Sequence, residues 1–257
     1  MMRRVGVLGA VGVVAILGSV SSVSAQQIGG WVSANATMDK PATDTTTQAV
    51  VFPYRLETFQ STQVYTQKNK PSFDIDGGVR FGSFGAGLAV SRYSDNETVF
   101  SHLSVPSRFT FGNLATASAN TQNPLGHEET ALHFEGRYIA NLPRMSVAVF
   151  AGPSYIKTRQ DLVTDNTYQE IDSLTLHTVQ ITNYDFRTAD LHAWGYNVGV
   201  DWAYYFSTFL GVGGLVRFSQ ATVQLPNDLQ TTADGHAVTQ DLKVGGLNFG
   251  GGVRVRF

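Results

Sequence analysis

The chain has 257 residues, with 18 Lys and Arg against 20 Asp and Glu, a formal net charge of −2, and no cysteine. Lack of cysteine excludes a disulfide framework, thiolate catalysis, Cys-based zinc sites and a lipid-modified N-terminal Cys. The near-neutral charge offers no basic surface for nucleic acid. Glycine at 26 residues, with 16 Phe, 10 Tyr and 3 Trp, points to strands and turns rather than helices.

The first segment reads as an export signal. Arg3 and Arg4 precede an uncharged run from Val5 to Val20, and Val23-Ser24-Ala25 stands before Gln26. That order predicts a secretory signal peptide over residues 1–25, cleaved after Ala25, followed by one domain over 26–257. The run is too short for a bilayer helix, which takes about 20 apolar residues, and no later apolar run is longer. Cleavage leaves 16 basic and 20 acidic residues, a net charge near −4.

Beyond Gln26 the signal is alternation with period two. Gly30 to Thr37 carries it weakly. Phe73, Ile75, Val79 and Phe81 then oppose Asp74, Asp76, Gly78 and Arg80. Phe84 to Tyr93 is weaker. Leu132, Phe134 and Tyr138 oppose His133, Glu135 and Arg137, and Met145 to Tyr155 follows with a weaker pattern. Tyr196, Val198, Val200, Trp202 and Tyr204 oppose Asn197, Gly199, Asp201 and Ala203; Leu210, Val212, Val216 and Phe218 oppose Gly211, Gly213, Arg217 and Ser219. The clearest segment is the last, where Leu247, Phe249, Val253, Val255 and Phe257 oppose Asn248, Gly250, Gly252, Arg254 and Arg256. The total is eight strands.

Alternation also suits a soluble sandwich or lipocalin-like barrel, whose apolar face is the core. Here the apolar face carries large aromatics, while the polar face combines glycine with Asp, Glu and Arg, as a narrow polar lumen and a lipid-facing wall require. Connections alternate as well. Gly82-Ser83, Leu142-Pro143-Arg144 and Ser207-Thr208 are tight turns, whereas residues 39–71, 94–128, 157–192 and 222–241 are long and polar. The fold class is therefore all-β: an eight-stranded antiparallel up-and-down transmembrane β-barrel with short periplasmic turns and four long extracellular loops. Phe81, Phe84, Tyr138, Tyr204, Phe206, Phe209 and Phe257 would form the periplasmic aromatic girdle, with Phe73, Tyr155, Trp194 and Phe218 nearer the outer interface. Val50 to Tyr65 and Leu174 to Tyr184 hold enough β-formers to extend the barrel above the membrane or to add a ninth and tenth strand; extension is the preferred expectation.

Several segments resemble the bacterial outer-membrane protein β-barrel domain family, the small barrels related to OmpA and OmpX. They are Phe73-Asp74-Ile75-Asp76-Gly77-Gly78-Val79-Arg80, Ser91-Arg92-Tyr93, His127-Glu128-Glu129, Gly152-Pro153-Ser154-Tyr155, Gly211-Val212-Gly213-Gly214-Leu215-Val216-Arg217-Phe218-Ser219 and the terminal Gly251-Gly252-Val253-Arg254-Val255-Arg256-Phe257. The resemblance spans nearly the whole mature chain. It implies the outer membrane of a Gram-negative-type bacterium, with membrane lipid as the surroundings. Gly252, Val255 and Phe257 look like the C-terminal signal read by the barrel assembly machinery, although the polar residue usual near Gly250 is absent.

The predicted site is a lumen charge network of Asp74, Asp76, Glu135 and Asp201 with Arg80, Arg137, Arg217, Arg254 and Arg256, and His133 nearby. Charges held in a lumen with little water should be paired. An eight-stranded interior is just wide enough for side chains, so a plug with a structural or surface role is expected, ahead of a narrow channel or small-solute carrier. His102, His127, His177, His192 and His236 fall in the expected loops without ligand spacing, and a solvated position is expected for all five. No cofactor or metal is expected. Lipid A modification, which some eight-stranded barrels perform with a neighbouring His and Ser, would have only His102-Leu103-Ser104 to use, with no anchored acid beside it.

Overall fold

The computed structural model describes residues 28–54, 57–121, 123–231 and 237–257; the expected signal peptide lies outside them. Among these, twelve strands form: β1 (Ile28–Pro41), β2 (Thr45–Tyr54), β3 (Glu57–Thr66), β4 (Lys70–Phe81), β5 (Phe84–Glu97), β6 (Val99–Pro106), β7 (Leu114–Asn120), β8 (Leu125–Asn141), β9 (Met145–Asp172), β10 (His177–Tyr205), β11 (Leu210–Thr231) and β12 (Ala237–Arg256). Eight of them close into an antiparallel ring in the order β1-β12-β11-β10-β9-β8-β5-β4. The expected eight-stranded barrel is thus the observed one. Closure joins the two ends of the wall, with Trp31 opposite Arg256 and Phe257 exchanging backbone hydrogen bonds of 2.7 and 3.0 Å with Gly30.

The wall is inside-out relative to a soluble protein. Phe73, Ile75, Leu88, Phe134, Val198, Trp202, Val216, Phe249 and Val253 are exposed outward, while Asp74, Asp76, Glu135, Arg137 and Arg217 are buried inside. A contiguous apolar belt of this size on a closed barrel is a lipid-facing surface. Its outer limit is marked by outward-facing ion pairs, Arg92 to Glu128 at 3.0 Å and Lys157 to Asp190 at 3.9 Å. At the other end the turns are tight. Gly82 takes φ +63°, the left-handed conformation that a two-residue hairpin turn demands.

Glycine on the inner face makes room for two large side chains. A Cβ on Gly78 or Gly87 would lie 2.5 or 2.8 Å from the Trp31 ring, and one on Gly199 would lie 2.4 Å from the Phe150 ring. Bulk that β1 and β9 point inward is therefore accommodated by β4, β5 and β10.

Above the belt the structure departs from the expected polar loops. β9 and β10 run for 28 and 29 residues, so most of 157–192 is wall rather than loop, and Leu174 to Tyr184 extends the barrel from His177 onward. Val50 to Tyr65 neither extends the wall nor enters it. β2 and β3 pair instead with β6 and β7 in a separate sheet of order β2-β3-β6-β7. The reason lies in β6, where Val99, Ser101, Leu103 and Val105 alternate to one side and are buried. Phe59, Leu103 and Val105 pack against Tyr168, Val179 and Ile181 of the tall β9–β10 hairpin, an apolar face that a loop in water could not keep.

Candidate functional site in the barrel lumen

Each inner-face polar residue is placed by strand alternation, and the ring brings six strands' worth of them together at one height. Arg217 on β11 pairs with Asp74 on β4 and with Glu135 on β8 at 2.6 Å. Arg137, also on β8, reaches Glu135 at 2.6 Å, Asp76 at 2.7 Å and Asp201 on β10 at 3.5 Å. Arg254 on β12 donates to Asp201 at 3.0 Å and to Asn35 on β1 at 2.6 Å, and Asn35 donates to Asp74 at 3.2 Å. The contacts form a closed circuit: Asp74, Arg217, Glu135, Arg137, Asp201, Arg254, Asn35 and back to Asp74. Buried ions of this kind are tolerated only when each is paired and hydrogen-bonded.

Two aromatics, absent from the predicted network, line the circuit. Trp31 donates its indole N–H to Asp76 at 2.8 Å, and the Arg137 guanidinium lies 4.7 Å from its ring centre. Phe150 stands beneath both Arg137 and Arg217, at 5.1 and 5.3 Å. The only sequence sign of Trp31 was inner-face glycine on neighbouring strands. His133 is buried beside the circuit but joins no ion pair among the described residues; its two ring nitrogens meet the hydroxyls of Ser91 at 3.0 Å and Ser154 at 2.7 Å.

Arg80 and Arg256 are placed differently from the expected network. Both sit at the periplasmic mouth, where Arg80 donates to the Asn141 amide at 3.0 Å and Arg256 to the Thr208 carbonyl at 2.9 Å. Neither has a carboxylate partner among the described residues. They lie too near the open end to reach the acids of the circuit.

On the outer side part of the lumen is apolar. Tyr65, Val99, Ile156, Leu162, Leu225 and Val244 belong to one buried cluster that fills the barrel above the belt, and the Val163 N–H donates to the Tyr65 hydroxyl at 2.9 Å, tying β3 to the wall.

Histidine corrects one expectation. His127 is fully buried rather than solvated, because β5 and β8 continue past the membrane and close around it; it meets Gln160, Glu129 at 3.0 Å and Glu97 at 3.9 Å. Burial opposes a charge on this ring, but the hydrogen bond to Glu129 and the carboxylates of Glu129 and Glu97 outweigh it and raise its pKa to about 9. The side chain of His177 is also enclosed, bonded to Glu170 at 3.1 Å and the Asn113 carbonyl at 3.2 Å. With Asp172 these two could hold a metal ion, a grouping that the sequence hides because its members face each other across the β9–β10 hairpin. Arg108 already lies 3.4 Å from Asp172 and 3.6 Å from Glu170. His102 bonds Ser118 at 2.8 Å on the β2-β3-β6-β7 sheet, the cap sheet. His192 lies exposed against the Tyr155 ring, and His236 falls outside the described residues.

A closed eight-stranded ring with a lipid-facing exterior, short turns at one end and tall strands at the other defines the class: a small outer-membrane β-barrel. Solved structures of similar fold include the outer membrane protein OprG from Pseudomonas aeruginosa, at 7% identity and TM-score 0.48 over 90% of this chain and 97% of that one. They also include Neisserial surface protein A, at 13% and 0.40 over 90% and 97%, and the attachment invasion locus protein Ail of Yersinia pestis, solved with the heparin analogue sucrose octasulfate, at 11% and 0.38 over 90% and 99%. No protein-family model and no curated protein matches the sequence.

Proposed function

We propose that this barrel is a structural, surface-exposed component of the outer membrane whose lumen is plugged. The observation that carries the reading is the closed circuit of buried ion pairs, backed on its outer side by apolar packing. An ion crossing the barrel would have to break paired charges and then pass a level packed with buried side chains, each costing several kcal/mol or more, on the order of the desolvation of a buried ion. The narrow channel or carrier is the second reading, favoured by the polar lining of the membrane-level lumen. The assignment of the circuit as a plug predicts no resolved single-channel openings when refolded protein is placed in planar bilayers in concentrated KCl. Regular ion-selective steps would replace it with the channel reading.

Surface presentation is supported by the cap sheet and the tall hairpin, which carry most of the described extramembrane residues at the end opposite the short turns. Lipid A chemistry has less behind it: His102 bonds the Ser118 hydroxyl, but no carboxylate among the described residues pairs with its ring to complete a nucleophile, base and acid in series. Mass spectrometry of lipid A from expressing cells, unchanged against an empty strain, checks this. Phe257, with Val255 and Gly252, is proposed to be what the assembly machinery reads.

A further inference from the structure

We propose that the periplasmic mouth of the lumen is a binding site for a phosphate group. A pocket of about 50 Å³ opens there, room for a few waters or one small ion, and its lining includes Trp31, Arg80, Arg137, Asp201, Arg254 and Arg256. Four guanidiniums face one carboxylate. Asp201 is already shared between Arg137 and Arg254, and Arg137 also serves Asp76 and Glu135. Circuit and rim together hold five arginines against four acids, and the two without an acid partner are the two at the mouth.

Two of these cations, Arg80 and Arg256, are held in place by neutral groups, and Arg254, paired with Asp201, also has a donor left over. Arg256 is fixed by the Thr208 carbonyl and by stacking 3.8 Å from the Tyr205 ring centre. Arg80 is fixed by one amide contact from Nη1. Arg254 is 3% exposed, and its Nη2 is buried with no hydrogen-bond partner, although Nε and Nη1 are both engaged. A buried cationic donor without an acceptor leaves the Arg254 charge incompletely compensated, which adds to the excess of positive charge around the pocket. The forks approach from β4 on one side and β12 on another. A planar carboxylate fills one fork, whereas a tetrahedral phosphate accepts from several directions at once, which favours phosphate.

Trp31 lines the pocket, so its fluorescence can report occupancy once the lipid-facing Trp194 and Trp202 are replaced by Phe. Protein refolded in maltoside micelles should show a saturable emission change with inorganic phosphate that chloride at equal ionic strength does not reproduce. Acetate should bind about tenfold more weakly or worse. R80Q/R256Q, at the rim outside the buried circuit, should lose about tenfold or more in affinity while keeping the heat-modifiable gel shift of a folded barrel; R80K/R256K should fall between. Repeating the titration in phosphatidylglycerol nanodiscs separates two sources of the same group. A curve shifted to higher phosphate means a lipid headgroup already occupies the site, and an unshifted one means the site takes soluble phosphate. An equal response to chloride or acetate, or a folded R80Q/R256Q with unchanged affinity, overturns the proposal.

Discussion

Arg217 and Asp74 stand 143 residues apart in the chain and meet inside the barrel, reaching inward from β11 and β4 with two strands of the wall between them. The same guanidinium holds Glu135, so one side chain ties together three strands that share no backbone ladder.

Arg217→Ala should therefore leave Asp74 without its arginine, while Glu135 keeps Arg137. The expected loss is about 3 to 5 kcal/mol, the range for removing one partner of a buried pair. The urea midpoint of refolded protein in lipid vesicles measures it, and an unchanged midpoint would mean that water reaches the site.

A second expectation concerns packing between strands. Gly87 faces Trp31 so closely that Gly87→Val must displace the indole, at a cost of about 1 to 3 kcal/mol for overpacking. The displaced ring would also give up its bond to Asp76, so near-ultraviolet circular dichroism should change together with stability. A stability loss with an unaltered aromatic spectrum would place the strain in the backbone instead.

His127 predicts a pH dependence for the extracellular end. Its pKa is raised from 6.5 to about 9, so its stabilising charge is complete below pH 6.5 and is lost as pH rises through 9. Buried Glu97, pushed upward chiefly by burial, acts in the same direction. The melting temperature should fall across that window, by an amount on the order of 3 kcal/mol in stability, and His127→Gln should flatten the profile. An equally steep profile in the variant would assign the effect to other groups.

How much of this was legible in the sequence follows from which physical signal each part left. Strands with unlike faces announced themselves, as Leu247 to Phe257 did, because lipid on one side and a polar lumen on the other impose period two. β1 was faint, since its outward face includes the small Ala34 and Ala36 and its inward face carries Trp31, reversing the usual order of bulk. Membership of Asp74, Asp76, Glu135, Arg137, Asp201, Arg217 and Arg254 in the inner face was readable. Height along the barrel axis was not, because the register between strands decides it, and so Arg80 and Arg256 were grouped with residues they do not touch. The cap sheet was hidden for a different reason: Phe59 and Leu103 find their partners on β9 and β10, and such long-range packing leaves no local pattern.

Phe257 carries the last prediction. It closes the ring against Gly30 and leaves its own ring 61% exposed on the lipid side. As a wall residue its removal should cost about 1 to 3 kcal/mol at most. As an assembly signal its deletion should lower outer-membrane levels strongly in cells, while purified protein refolds in detergent with a modest loss. Phe257→Tyr should be mild and Phe257→Asp severe. Normal cellular assembly of the deletion would leave only the wall role.

The pairing of β3 with β6 has a consequence for biogenesis. β3 belongs to the segment between β1 and β4, and β6 to the segment between β5 and β8, so the two meet only on the far side of the bilayer. The cap also packs against the β9–β10 hairpin, so its final contacts need both segments and the hairpin on the same side of the bilayer. The docked cap consequently reports that both segments have completed their passage.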